Sequence, residues 1–329
     1  MTGKAVVPGR GVAGRLRHDA LLYDSPEHLA AVAAPFLLDG LAAGDAAVVA
    51  TRPASARLLQ EAVGGDPRVQ FLEQSEVYRP RTPSALRTFR SLGETFAGER
   101  TGRVRVVGEV DFGPTERHWL EWQRYEAVLN DALSGWPLWG LCLFDTQQLP
   151  DPLLDAARQT HPHVATPVGR QENPAYTDPA DYLRSLPIPS EPLEATPPAL
   201  LVCGIVDFSR LRRELAAELA HLTGHREAIR EAVEDFLLAV DEMTSNAVLH
   251  GRPPVTLRLW TSPDRIVCSI SDGGMGWDDP FAGYGPAHGD DLSRGGMGLW
   301  LARQLCDHVD IAGRGEGAGV RVRLTTSLN

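Results

Sequence analysis

Lysine is almost missing from this chain. Lys4 is the only one in 329 residues, so nearly all positive charge is carried by arginine. That scarcity excludes, through the body of the chain, the chemistries that need a lysine amine: a Walker A phosphate loop, a Schiff-base lysine and the strand lysine of a protein kinase. A cationic contact to phosphate must come from arginine or a metal. Cysteine is also sparse. Cys142, Cys203, Cys268 and Cys306 form no CxxC pair, and each sits in an apolar run. They read as buried thiols of a reducing compartment rather than as disulfides. No uninterrupted apolar stretch reaches the ~18 residues of a membrane span, and the N-terminus lacks an apolar signal core. The expectation is a cytoplasmic protein with no membrane partner. Basic charge is in deficit, with 32 Lys and Arg against 43 Asp and Glu and a net charge of −11. Direct nucleic-acid binding, which relies on basic groups neutralising phosphates, is not expected.

What is present is ordinary globular material, 43% hydrophobic and 23% charged, at a length that suggests two domains. Residues 1–17 are Gly- and Arg-rich without periodicity and read as a flexible tail. From 18 to 164, short apolar runs alternate with amphipathic ones. The predicted strands are Ala20–Tyr23, Ala46–Thr51, Val69–Leu72, Val104–Gly108 and Leu138–Asp145. The predicted helices are Pro26–Gly44, Pro53–Gly64, Thr82–Gly98, Pro114–Ser134 and Pro150–Thr160, several opening on proline. Such alternation predicts a mostly parallel sheet covered by helices. Tyr23, Glu109 and Asp145 then fall at or just beyond the carboxyl ends of strands, where open α/β sheets place ligands, although structural loop hydrogen bonds would equally account for them. Glu126 and Asn130, one helical turn apart, read as capping or packing residues. His161 and His163 could ligate a metal, or belong to a plain loop.

Eight prolines between 165 and 198 mark a linker, within which Asp178–Leu186 could dock as a short helix. The last unit, 199–329, has a different rhythm. Leu200–Val206 is strand-like, and Phe208–Leu222 and Glu227–His250 are helical. Val255–Trp260 and Arg265–Ser271 form a hairpin. After a glycine-rich stretch come a helix over Leu299–Asp307 and strands Val309–Ala312 and Val320–Thr325. On the last strand, Val320, Val322 and Leu324 are expected to face a core, and Arg321 and Arg323 solvent. This predicts a mixed α/β sandwich.

On the long helix, Glu242, Asn246 and His250 lie at i, i+4 and i+8, on one stripe. A carboxylate, an amide and an imidazole there can present a base and an oxygen ligand to one small volume, which suits Mg²⁺ alongside phosphates. The stripe alone could equally be a solvated face. Two glycine clusters add to it. Asp272-Gly273-Gly274-Met275-Gly276 follows a strand directly, so a carboxylate is placed to accept from an exocyclic amine while the glycines admit a flat base. Arg294-Gly295-Gly296-Met297-Gly298 runs into an apolar helix, whose first N–H groups can bind phosphate.

With these residues in view, the unit from about Ala199 to Asn329 resembles the GHKL (Bergerat) ATP-binding domains. The stretch from Glu242 to Gly251 looks like their N box, Asp272–Gly276 like the G1 box and Gly296–Leu299 like the G2 box. The wording is most similar to anti-sigma factor serine kinases. The resemblance implies that Asn246 binds Mg²⁺ bridging the phosphates of ATP and that Glu242 orients or deprotonates the attacking hydroxyl. It further implies that Asp272 binds the adenine amine, that Gly274 and Gly276 shape the adenine end, and that Gly296, Met297 and Gly298 belong to the phosphate lid. His250 joins the nucleotide site as the last member of the stripe, and Arg294 would reach the γ-phosphate. The implied partners are an anti-anti-sigma (STAS-type) protein and a sigma factor, with homodimerisation left open. A non-catalytic ATP-gated binding switch and an atypical histidine kinase are the alternatives. A standard histidine kinase is disfavoured, because a proline-rich linker stands where its dimerisation helices would be; His221 and His225 read as surface residues.

Residues 18 to about 163 resemble the MEDS sensory domain, a RecA-like fold without a working P-loop. The resemblance rests on His18–Tyr23, on Pro35-Phe36 through Gly44-Asp45, on Tyr125–Asn130 and on Leu141–Asp145. It implies control of the C-terminal domain by a small-molecule or protein signal that the sequence does not identify.

Overall fold

The computed structural model describes residues 16–328 except 79–80, 98–101, 206, 224–226, 275, 277, 286–296 and 314–318. The chain divides into two compact units, Met1–Leu186 and Pro187–Asn329.

The first unit runs β1 (Arg17–Tyr23), α1 (Pro26–Ala42), β2 (Ala46–Ala50), α2 (Pro53–Ala62), β3 (Val69–Phe71), α3 (Gln74–Val77), α4 (Thr82–Ala97) and β4 (Val104–Gly108). It continues with α5 (Glu116–Ala132), β5 (Leu138–Asp145), α6 (Asp151–Thr160), β6 (His163–Thr166), β7 (Gly169–Glu172) and α7 (Pro179–Ser185). Its sheet has the order β3-β2-β4-β5-β1-β6-β7, and only the β6–β7 pair is antiparallel. The strand β2, and β5 up to Asp145, are continuous apolar runs because both faces of a parallel sheet are covered. Val48, Val49 and Val107 are wholly buried. Helix starts follow local chemistry: Ser25 Oγ accepts from His28 N at 3.2 Å ahead of Pro26, and Asp178 Oδ1 accepts from Ala180 N at 2.9 Å ahead of Pro179.

The stretch that reads as a linker has structure along much of its length. Residues 163–172 form the β6–β7 hairpin that extends the first sheet, and α7 docks Tyr182 and Leu183 into the same unit. The prolines do not prevent this, because Pro167 lies in the hairpin turn and Pro179 in the first turn of a helix.

The second unit runs from a 3₁₀ turn (Pro192–Ala195) through β8 (Leu200–Cys203), α8 (Phe208–Thr223), α9 (Glu227–His250), β9 (Thr256–Thr261), β10 (Arg265–Asp272), α10 (Gly298–Leu305), β11 (His308–Ala312) and β12 (Val320–Ser327). The sheet order is β11-β12-β10-β9-β8, antiparallel throughout. Helix α9 lays Ile229, Val233, Phe236, Val240, Met243 and Ala247 onto one face of this sheet, all buried. Full burial of a side chain such as Phe236 stabilises by about 1.5–3 kcal/mol.

Two expectations fail here. Arg323 does not face solvent: it is 2% exposed, because the Pro189–Thr196 segment covers the second face of the sheet. Its guanidinium donates to Asp310 Oδ2 at 2.8 Å, to Glu194 Oε2 at 2.9 Å and to the Pro189 carbonyl. Trp260 Nε1 reaches the Thr196 carbonyl at 2.9 Å on the same face. Cys203 is exposed, at the end of edge strand β8, whereas Cys142, Cys268 and Cys306 are buried. Among the described residues, no helix is long and apolar enough to cross a membrane.

Candidate functional site

Asp272 closes β10, and its side chain is tied down by backbone donors. Gly274 N donates to its Oδ1 at 2.6 Å and Arg252 N at 3.3 Å. Among the described residues, neither donor nor any other uses Oδ2. The strand end is locked to the segment after α9 by Gly273 N donating to the Arg252 carbonyl at 2.7 Å. This close approach explains Gly251: a methyl group there would lie 2.4 Å from both the Ala247 carbonyl oxygen and Asp272 Cγ. Gly276 has φ of +101°, a conformation that side-chain-bearing residues rarely adopt.

Between α9 and the sheet lies a cavity of about 320 Å³, in the range of small-ligand sites. Asn246, His250 and Asp272 supply its polar groups. Gly251, Gly274 and Gly276 open its backbone, and Met243, Ile270, Leu299, Ile311 and Val322 form apolar walls. A flat aromatic base suits such walls, with a carboxylate at the edge to take an exocyclic amine. Glu242, half-buried, sits one turn before Asn246. Both meet the start of α10: a methyl group on Gly298 would lie 2.8 Å from Glu242 Oε2 and 3.0 Å from Asn246 Nδ2. The first turn of α10 is therefore pressed against the carboxylate and amide of α9, with Met297 capping it.

The structure thus brings Asn246, His250, Asp272, Gly274 and Gly276 to one cavity and sets Glu242 beside Gly298. Arg294 and Gly296 lie outside the described residues, as does His225; His221 is exposed. The sequence reading assigned no site role to Gly251, to the backbone N–H of Arg252 or to the apolar walls. Gly251 directly follows the stripe and could have been found from that position.

In the first unit, Tyr23, Glu109 and Asp145 do meet at the carboxyl ends of β1, β4 and β5. The group the sequence reading missed is Arg52. Its Nε donates to Glu109 Oε1 at 2.8 Å and its backbone N to Glu109 Oε2 at 3.0 Å, while Tyr23 Oη donates to Oε1 at 3.3 Å. Burial, helped by the nearby Glu109 and Asp145 carboxylates, pushes the Tyr23 hydroxyl up to about 12. Tyr23, Arg52, Ser55, Asp145 and Gln148 line an open cavity of about 760 Å³ over these strand ends.

Both units match known families. Residues 207–326 match the histidine kinase-like ATPase domain family, and residues 17–162 match MEDS, the MEthanogen/methylotroph, DcmR Sensory domain. The serine-protein kinase RsbW of Bacillus pumilus is 32% identical over 114 residues, which cover 31% of this chain and 68% of that protein. The chain belongs to the anti-sigma factor serine kinase family. Serine-protein kinases RsbW of Bacillus velezensis and Bacillus subtilis are each 33% identical, over 108 and 110 residues. These stretches cover 30% of this chain and 66% and 67% of those proteins. The chain thus spans about two thirds of the length of these relatives, and its kinase-family likeness resides in the second unit. The first unit carries the MEDS match. Among solved structures, the histidine kinase domain from Erythrobacter litoralis EL346 blue-light activated histidine kinase is similar at 21% identity and a TM-score of 0.23, covering 35% of this chain and 64% of that one.

Proposed function

We propose that the C-terminal domain binds Mg-ATP in the cleft between α9, β10 and α10 and phosphorylates a serine or threonine of an anti-anti-sigma (STAS-type) protein. In this reading the MEDS unit controls the switch, and a sigma factor is its second partner. The observation that carries the proposal is the approach of Gly298 to Glu242 and Asn246, at one side of a cavity whose other polar edge is Asp272. The residues fit the nucleotide. Asp272 keeps one oxygen unused by any described donor, and the backbone beside it is stripped of side chains at Gly251 and Gly274.

Each residue then has a task. Asp272 accepts from the adenine amine, and the walls at Ile270, Leu299 and Val322 hold the base by apolar contact. Asn246 offers its amide oxygen to Mg²⁺, and His250 flanks the same cavity. Met297 and Gly298 place the N–H groups of α10 toward anionic oxygens. Arg294 and Gly296 belong to the phosphate end. Glu242 holds the attacking hydroxyl and takes its proton. ATP supplies the phosphoryl group and Mg²⁺ the charge that offsets its oxygens, so the protein's contribution is mainly positioning and charge stabilisation.

The test is ATP binding and phosphate transfer measured side by side for the wild type and Glu242→Ala, with anti-anti-sigma proteins from the same genome. Transfer is expected to fall about 10²- to 10⁴-fold, the range of a positioned general base, with nucleotide binding retained. Transfer unchanged in Glu242→Ala would remove the base role. Binding without transfer to any partner would favour a non-catalytic switch.

A further inference from the structure

A second cluster of chemistry-bearing groups lies in the core of the first unit, away from the strand-end cavity. His18 on β1 and Cys142 on the adjacent β5 emerge on one face of the sheet, since Ala20, two residues after His18, is paired with Cys142. Glu126 on α5 and His161 at the end of α6 complete the group. All four are buried, and one ligand atom from each lies within 4.8 Å of every other. Individual separations are 3.2 Å for His18 Nε2 to Glu126 Oε2, 3.3 Å for His18 Nε2 to Cys142 Sγ and 3.6 Å for His161 Nε2 to Glu126 Oε2. Tetrahedral ligands of zinc stand about 3.3–3.8 Å apart, given the usual Zn–N and Zn–S lengths.

The outer hydrogen bonds decide which atoms face inward. Asn130 Nδ2 donates to the Thr160 carbonyl at 2.8 Å and to the Glu126 carbonyl at 3.2 Å, which turns its Oδ1 toward His18. His18 Nδ1, 3.1 Å from that oxygen, must then be the donor. His161 Nδ1 likewise donates to the Ala157 carbonyl at 2.8 Å. An imidazole that carries its proton on Nδ1 alone turns the lone pair of Nε2 into the cluster. This is the outer-shell arrangement that orients histidine ligands of metals.

Apart from the Cys142 thiol proton, which faces His18 Nε2 at 3.3 Å, the cluster is a convergence of acceptors. Among the described residues, both Glu126 oxygens and His161 Nε2 are buried without a hydrogen-bond partner. A buried carboxylate facing imidazole lone pairs is costly unless something positive sits among them. We propose that His18, Glu126, Cys142 and His161 form a site for a divalent cation of the zinc type. Two imidazoles, a carboxylate and a thiol that gives up its proton to solvent as the cation binds are a borderline-soft donor set that suits zinc rather than magnesium. The thiolate and carboxylate also balance a charge of two, which leaves the buried site neutral. A cation there ties β1, β5, α5 and α6 at one point, so occupancy sets how firmly the sensory unit is held together.

The experiment uses the full chain, purified without a histidine tag and without nucleotide. Elemental analysis and Zn²⁺ and Co²⁺ titrations of the metal-stripped protein are expected to give one tight site per chain. Co²⁺ should show a thiolate charge-transfer band that is lost in Cys142→Ser. Zn²⁺ should raise the unfolding temperature of the wild type and not that of Cys142→Ser, while Asn130→Ala weakens Zn²⁺ binding about 10- to 100-fold through the outer shell. A wild-type chain that is folded by circular dichroism yet takes up neither Zn²⁺ nor Co²⁺ would overturn the proposal, whether or not the variants fold. So would a cobalt–thiolate band that survives Cys142→Ser.

Discussion

Arg323 and Glu126 are charged residues put away from water, one in each unit, and their surroundings differ in kind. Arg323 makes four hydrogen bonds, to Asp310, Glu194 and the Pro189 carbonyl, and is matched donor to acceptor. Glu126 faces two imidazoles and a thiol, and among the described residues its carboxylate oxygens have no hydrogen-bond partner. The first pattern holds a segment onto a sheet. The second turns acceptors toward one another, the arrangement that a bound cation would satisfy. Burial alone would have grouped the two together; the hydrogen-bond inventory separates them.

The largest effect on this contrast is expected from breaking the satisfied cluster. Arg323→Met leaves Asp310 buried beside an apolar side chain and releases Glu194 and the Pro189 carbonyl. It should cost about 3–5 kcal/mol in denaturant unfolding of the second unit, the usual penalty for removing one partner of a buried ion pair. A loss below 1 kcal/mol would mean that the Pro189–Thr196 cover is not held by this arginine. The opposite sign is expected at the other cluster. In metal-stripped protein, Glu126→Gln replaces a buried carboxylate by an amide that can donate to His161 Nε2, so stability should be unchanged or higher by about 1 kcal/mol. Clear destabilisation would show that the carboxylate is already satisfied without metal.

The smallest effect concerns Tyr23. Its hydroxyl titrates near 12 in the folded protein instead of 10, so its contribution is fully present below pH 10. Above that pH the unfolded chain ionises first, and the contribution is lost as pH rises from 10 toward 12. Tyr23→Phe should flatten this part of the stability–pH profile and leave the profile below pH 9 parallel to that of the wild type. An unaltered alkaline slope would mean that Tyr23 is less enclosed than the strand-end geometry implies.

Much of the fold was legible because it depends on local pattern. The apolar stripe from Ile229 to Ala247 sets α9 at Glu227–His250, and β2 and most of β5 follow from apolar runs. The error at Arg323 arises because the cover on a surface comes from distant sequence. Alternation along β12 assumed one wet face, but residues 189–196 lie over Arg323. The polar Gly169–Glu172 was not read as a strand because its side chains are exposed and only its backbone pairs with β6. In the ATP site, Asn246 and Asp272 were visible through the short segments that carry them. The contact of Gly298 with Glu242 was not, since it depends on how α10 packs on α9. The cluster at Glu126 was invisible for the same reason: its members run from position 18 to position 161, and only the sheet register and two helix packings unite them.

The central claim is that the cleft of α9, β10 and α10 is a nucleotide site. Calorimetric titration of the full chain with ATP and Mg²⁺, wild type beside Asp272→Ala and Asn246→Ala, tests it most directly. The account predicts saturable binding in the wild type, loss of binding in Asp272→Ala with or without Mg²⁺, and loss of the Mg²⁺-dependent part in Asn246→Ala. Absence of binding by the folded wild-type chain, or affinity untouched by both substitutions, would contradict it.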